Sequence, residues 1–308
     1  MADKNETLHA GSVAIVGRPN VGKSTLLNRL LGQKLSITAD KPQITRHRIL
    51  GLVDLPAGQI ALLDTPGIHR IPGKRALNQA LNRTALGALA EADLVWFVVA
   101  ADRWDDEDEH ILAALRREGL PVMLVVNKID RLRERERLLP YLERVGVLYD
   151  FVEILPVSAL KGDNAQRLAE AALKHLPAVE ERPYDPDQLT DRSLRFVSAE
   201  FIREHLVRSL GEEVPHAAAV TIDSFEEKPT LTRISATIWV ERDGQKAIVI
   251  GRGGERLKSI GSKARKAIEQ LLGTRVFLEL WVKVRPGWQD DPRFLRELEL
   301  EEPRWPKT

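Results

Sequence analysis

Gly17-Arg18-Pro19-Asn20-Val21-Gly22-Lys23-Ser24, followed by Thr25, has the spacing G-x-x-x-x-G-K-[ST]. Glycines at those places let a backbone curl until its N–H groups point at phosphate oxygens. A lysine there reaches the β- and γ-phosphates of a nucleotide, and a serine hydroxyl reaches Mg²⁺. The motif follows the apolar run Val13–Val16 and opens a helical pattern at Lys23–Leu31. It therefore stands at a helix N-terminus, where partial positive charge favours an anion. A chance glycine-rich turn would lack that strand and that helix.

Two further motifs add the metal and the base. Asp64-Thr65-Pro66-Gly67 closes a strand pattern one hairpin later. Asp64 can hold Mg²⁺ through a water, and the Gly67 N–H can meet a γ-phosphate. Asn127-Lys128-Ile129-Asp130 follows the apolar run Val122–Val126. A carboxylate offers two acceptors to guanine N1–H and its 2-amino group. Adenine would leave it unpaired, at a cost of about 1–3 kcal/mol. Asp130 therefore selects GTP over ATP. Ser158-Ala159-Leu160 follows the next strand pattern, where a backbone N–H meets guanine O6.

A different chemistry is written near the C-terminus. Ile250-Gly251-Arg252-Gly253-Gly254 ends an apolar segment and precedes a helical pattern at Glu255–Leu272. A G-x-x-G loop between two helices packed on a sheet is how a KH domain clamps about four nucleotides of backbone. Arg252, Arg256, Lys258 and Lys263 lie on or just after the loop. From Arg242 to Arg285 there are eleven basic and four acidic residues, in a chain of net charge +1. That local excess suits phosphates. A glycine stop beside a solvated helix face would look alike in isolation. The order helix–strand–strand–helix–loop–helix–strand decides for the type II KH arrangement.

The elements that must position these residues follow from periodicity. Strands are expected at Val13–Val16, Leu94–Val99, Val122–Val126 and Val152–Pro156, with a hairpin of His47–Leu55 and Gln59–Asp64. Helices are expected at Lys23–Leu31, Lys74–Ala90, Glu107–Arg117, Glu134–Arg144 and Ala165–His175. This alternation implies an α/β domain with a mostly parallel sheet and helices on both faces. Pro177–Asp191 carries three prolines amid charges and reads as an interdomain linker. The expected division is 1–180, a linker at 181–191, and an α+β domain at 192–308. In that domain a helix is expected at Arg192–Leu210 and strands at Ala217–Asp223, Thr232–Glu241 and Arg275–Val284. A short tail helix is expected at Pro292–Leu300. Trp239 and Trp281 are expected in the core, and Trp288 is expected to pack under the tail.

Composition removes several classes. With 308 residues and no cysteine, the chain has no disulfide, thiolate metal site or cysteine nucleophile. Its longest apolar run, Leu94–Ala101, is far short of a membrane span. Met1–Ala10 lacks the basic-then-apolar pattern of a signal peptide, and the absence of cysteine fits the cytoplasmic protein that is expected.

The motifs of the first half resemble the translation-factor-related class of P-loop GTPases with a Ras-like fold. In that class Lys41–Arg48 is the first switch. There Thr45 supplies a hydroxyl to Mg²⁺ and a backbone contact to the γ-phosphate. Many relatives carry Thr at the position of Ile44; here Thr45 is the one Thr in Gln43–Arg46. Ile68 stands where Ras-like proteins hold a water-orienting Gln. In some GTPases with a hydrophobic residue there, the residue matching Asn20 helps bind K⁺. Asn20 here either does so or shapes the loop. His69, beside Ile68, reads as an exposed switch residue rather than a base.

A GTPase domain followed by a KH domain is similar to the Era family of ribosome-assembly GTPases, over about Gly11–Val284. The resemblance implies bound GTP or GDP with Mg²⁺, and K⁺ at Asn20. It implies catalytic work by Asn20, Lys23, Thr45 and Gly67, with Ser24, Thr45 and Asp64 at the metal. It further implies a monomer that binds the 3′ end of 16S rRNA and assists the small (30S) subunit, with peripheral membrane association. Two other readings stay open: a GTP-dependent RNA-modification factor and a membrane-associated switch. No cofactor motif supports the first. Beyond Arg285 four basic residues face six acidic ones, which is unattractive to anionic lipid.

Overall fold

The computed structural model describes residues 7–38, 44–67, 76–210 and 218–300. The chain forms two compact units. The first holds the described residues to 191 except those of 37–44 and 73–80, which cluster with 192–308.

The first unit is a sheet between helices. Its strands are β1 (Leu8–Val16), β2 (Ile49–Leu55), β3 (Gly58–Asp64), β4 (Leu94–Ala100), β5 (Val122–Asn127) and β6 (Glu153–Pro156). They lie in the order β2-β3-β1-β4-β5-β6. The β2–β3 hairpin is antiparallel and the other neighbours on this path are parallel. Every residue of β4 and β5 is buried, as continuous apolar runs require when helices cover both faces. The helices are α1 (Lys23–Leu31), α2 (Ala76–Ala90), α3 (Asp106–Glu118), α4 (Leu138–Gly146) and α5 (Ala165–Leu173).

Local chemistry sets the ends of these helices. Asp105 caps α3 by accepting from Glu107 N at 3.1 Å, and Asp108 accepts from Asp105 N at 3.1 Å. The helix expected at Glu134–Arg144 begins instead at Leu138, after a 3₁₀ turn at Arg135–Arg137. Pro140, with no N–H, fits only in its first turn. Lys74 and Gly73 lie outside the described residues, and α2 is described from Ala76.

The segment Pro177–Asp191 is fixed to the first unit. Ala178–Val179 (β7) pairs antiparallel with Leu8 and His9. Arg182 Nε donates to Asp54 Oδ1 at 3.0 Å, and Leu52 N donates to Leu189 O at 3.0 Å.

The second unit contains α6 (Leu194–Ser209), β8 (Ala219–Glu226), β9 (Leu231–Val240), α7 (Asp243–Ile250), α8 (Glu255–Leu272), β10 (Arg275–Val284) and α9 (Pro292–Glu297). Its sheet runs β10-β9-β8, with β10 parallel to β9 and β8 antiparallel. Ile260, Ala264 and Ile268 of α8 are buried. Gly261 lets that helix approach the sheet, since a Cβ there would stand 3.2 Å from Leu280 Cδ1.

Two of these three tryptophans differ from expectation: Trp239 and Trp281 are not buried core residues. Trp239 is half-buried, donating from Nε1 to Thr221 Oγ1 at 2.9 Å. Trp288 is fully buried, edge-on to Phe294 of α9. Trp281 is 55% exposed and is not core. Val276 and Val282 are the buried residues of β10, so the odd positions face away from α8.

Candidate functional site

The phosphate loop leaves β1 and enters α1. Gly17 (φ +154°) and Gly22 (φ +104°) take backbone conformations that side chains disfavour. A Cβ on Gly17 would lie 2.3 Å from Val98 O, and one on Gly22 would lie 2.4 Å from Asn127 Nδ2. Asn20 is also left-handed (φ +62°), a conformation Asn tolerates, which suits a loop-shaping role. Gly22 caps α1 without a side chain, leaving its first N–H groups to face an anion. Val21 is fully buried beneath the loop, and Thr25 lies in the first turn of α1.

Lys23 is buried, and its Nζ donates to Gly17 O at 2.8 Å and Arg18 O at 3.0 Å. Burial pulls its ammonium down to about 8, against the pull of Asp64. Arg18 reaches away from the loop: its Nε lies 3.0 Å from Asp108 Oδ2 and 3.3 Å from Asp105 Oδ2.

Three oxygens converge at the ends of α1, β3 and the residues before β2. Ser24 Oγ donates to Asp64 Oδ2 at 2.7 Å and stands 3.0 Å from Thr45 Oγ1. Ser36 Oγ also donates to Asp64 Oδ2, at 2.8 Å. Asp64 Oδ1 is buried and has no hydrogen-bond partner among the described residues. Burial raises the Asp64 carboxyl, opposed by Ser24, Lys23 and Ser36. Hydroxyls and a carboxylate around one unpartnered oxygen suit Mg²⁺, which takes hard oxygen ligands. Gly67 sits against the phosphate loop, since a Cβ on it would lie 3.2 Å from Pro19 Cγ. Arg46 is buried. Lys41, Pro42, Gln43, Ile68 and His69 lie outside the described residues.

The base motifs meet across the sheet end. Asn127 Nδ2 donates to Val21 O at 2.7 Å, and Asn127 Oδ1 accepts from Ala159 N at 2.9 Å. One amide thus ties the phosphate loop to the Ser158–Leu160 loop. Lys128 (φ +68°) donates from Nζ to Asn20 O. Asp130 Oδ1 accepts from Ser158 Oγ at 2.5 Å, and the Asp130 carboxylate is exposed. Leu160 is 59% exposed.

Sequence reasoning missed four supporting side chains. Ser36 reaches Asp64, and Asn28 Oδ1 holds the Leu35 and Ser36 N–H groups at 2.8 and 2.9 Å. Arg29 donates to Ala159 O at 3.2 Å and also to Leu160 O. Asp108 anchors Arg18. None carries a motif: Asn28, Arg29 and Asp108 lie on helices, Arg29 exposed and Asp108 buried, and Ser36 is buried in the loop after α1.

In the second unit, Gly251, Gly253 and Gly254 have φ of +75°, +59° and +82°. A Cβ on Gly251 would lie 2.7 Å from Arg256 Cβ, while one on Gly253 or Gly254 would meet nothing within 4 Å among the described residues. The loop is therefore open, and its backbone demands glycine. Arg252 in the loop and Arg256, Lys258 and Lys263 along the first half of α8 are exposed, and Ile250 is half-buried. Arg256 Nη1 donates to Ile248 O at 2.5 Å.

The profile described as 50S ribosome-binding GTPase matches residues 12–128, and that of the KH domain matches 213–289. The chain is 52% identical over 290 residues to GTPase Era of Stenotrophomonas maltophilia (strain K279a), spanning 94% of this chain and 96% of that one. It is 50% identical over 296 residues to GTPase Era of Xanthomonas axonopodis pv. citri (strain 306), spanning 96% and 98%. Two solved structures are similar at 40% identity and TM-score 0.91, covering 95% of this chain and 99% of theirs. One is an Aquifex aeolicus Era variant bound to GDP·AlF4⁻. The other is Era with MgGDPNP and nucleotides 1506–1542 of 16S ribosomal RNA.

Proposed function

The chain belongs to the Era family of GTPases, and from that membership we propose that it couples GTP hydrolysis to binding of the 3′ end of 16S rRNA during small-subunit maturation. The observation that carries this is the joining of two sites in one chain. A loop with Ser24, Thr45 and Asp64 beside it stands in the first unit. An open glycine loop among exposed cations stands in the second.

The roles we assign follow the geometry. The backbone from Gly17 to Thr25 cradles the phosphates, and Lys23 leaves the Gly17 and Arg18 carbonyls to meet the β- and γ-oxygens. Ser24 and Thr45 hold Mg²⁺ directly and Asp64 through a water; the ion neutralises charge on the phosphates. Gly67 N–H faces the γ-phosphate. Asn127 and Lys128 hold the base pocket together, and Asp130 reads guanine. Ser158, Ala159 and Leu160 close over its O6 side. The family reading implies that the Asn20 side chain would help hold K⁺, while its left-handed backbone shapes the loop. We take 1–180 as the GTPase part, 181–191 as the connection and 192–308 as the RNA-binding part.

On the RNA side, Gly251–Gly254 admits the backbone and Arg252, Arg256, Lys258 and Lys263 meet phosphates. Cytoplasmic location follows from the ribosomal substrate. Among the described residues no helix is long and apolar enough to cross a membrane. The monomeric state and peripheral membrane association belong to the family reading; light scattering and liposome flotation test them.

Gly253→Asp tests the clamp. It places bulk and negative charge where a phosphate must approach. RNA binding is expected to be lost while GTP binding is kept. Unchanged RNA affinity, with circular dichroism intact, would remove the glycine loop from the RNA site.

A further inference from the structure

The outward face of β10 carries a feature that the glycine loop does not use. Phe277 and Trp281 are 54% and 55% exposed there. Four residues apart on one strand, they share a face and stand roughly 13 Å apart. Neighbouring positions of that face are charged. Arg233, opposite Phe277 in register, holds its guanidinium 5.8 Å from the ring centre. Arg275 and Lys283 lie on the same face of β10 at its two ends, and Glu279 lies between the rings; all three are exposed. β10 is an outer strand of its sheet.

Large apolar protein interfaces exclude charge from their centres. Here cations and one carboxylate are interleaved with the rings. That pattern suits single-stranded nucleic acid. Exposed rings stack bases irrespective of sequence. Cations beside them meet the phosphates. A carboxylate between them accepts from an exocyclic amino group, as on cytosine.

We propose that the outward face of β10 is a second RNA contact, where bases of a single strand stack on Phe277 and Trp281. It rests on the reading of the second unit as an RNA-binding KH domain, and it extends the contact beyond the nucleotides held at Gly251–Gly254.

The test uses the full chain and two RNAs of 16S 3′-terminal sequence: one just long enough for the glycine loop, about four nucleotides, and one several times longer. Phe277→Ala and Trp281→Ala are each expected to weaken the longer RNA by at least ~5-fold and to leave the shorter one unchanged. Trp281→Phe should recover most of the loss. Lys283→Gln, at an exposed position, should lower the slope of log affinity against log salt by about 1. Equal affinity of the alanine variants and the parent for the longer RNA overturns the proposal. Retained RNA affinity with lost small-subunit binding also overturns it, assigning the face to a protein. Gly253→Asp runs in parallel. If it spares the shorter RNA, the glycine-loop reading fails by itself.

Discussion

Arg18 Nε in the phosphate loop lies 3.0 Å from Asp108 Oδ2 in the first turn of α3, and both side chains are buried. The pair crosses 90 residues of sequence. Burial raises the Asp108 carboxyl even with Arg18 beside it. Its worth is thus geometric: it fixes the loop whose Gly17 and Arg18 carbonyls hold Lys23. Removing Asp108 leaves the buried Arg18 with only the partly exposed Asp105, 3.3 Å away, and takes the acceptor from Asp105 N–H. Asp108→Ala is therefore expected to cost about 3 kcal/mol in urea unfolding, the low end for a broken buried pair. The double variant Arg18→Met with Asp108→Leu should regain most of that stability. Strictly additive losses would show that the two groups do not act as a pair.

Lys23 carries a pH prediction. Its pKa sits near 8 in the nucleotide-free protein because burial disfavours the ammonium. A triphosphate beside it favours the charged form and raises that value. GTP binding at pH 8 should therefore take up about half a proton, and less at pH 7, where the group is already charged. Calorimetry in buffers of different ionisation enthalpy measures this. No uptake at pH 8 would show that the Lys23 ammonium is already fully charged before the nucleotide binds.

Asp130→Asn should move base preference from guanine toward xanthine. An amide donates to the 2-oxo group of xanthine, where a carboxylate cannot. Asp130 is already oriented by Ser158 at 2.5 Å. Competition among GTP, XTP and ATP decides, and full retention of GTP preference would remove Asp130 from the base site.

Asn20 separates two roles. If its side chain helps hold K⁺, single-turnover hydrolysis runs faster in KCl than in NaCl, and Asn20→Ala abolishes the difference. Equal rates in both salts would leave Asn20 as a loop-shaping residue, as its left-handed backbone and the Lys128 bond to its carbonyl suit.

Much of this was legible because it is local. The expected bounds of α1, α8 and β10 match the observed ones, since each is framed by glycine or by an uninterrupted pattern. Proline shifted the start of α4 because its effect depends on which turn it occupies. Ser36, Arg29 and Asp108 stayed hidden because their partners are distant in sequence. Trp281 was misplaced by residue type. The alternation Val276, Leu278, Leu280, Val282 marks the inner face and puts Trp281 on the outer one.

The affinity of the full chain for RNA of the 16S 3′ end, loaded with Mg·GDPNP or with GDP, tests most directly whether nucleotide and RNA binding are coupled. Tighter binding in the GDPNP state by tenfold or more, about 1.4 kcal/mol of coupling, is expected. Loss of that binding in Gly253→Asp is expected in both states. Equal affinity in the two nucleotide states would contradict a GTP-controlled RNA clamp.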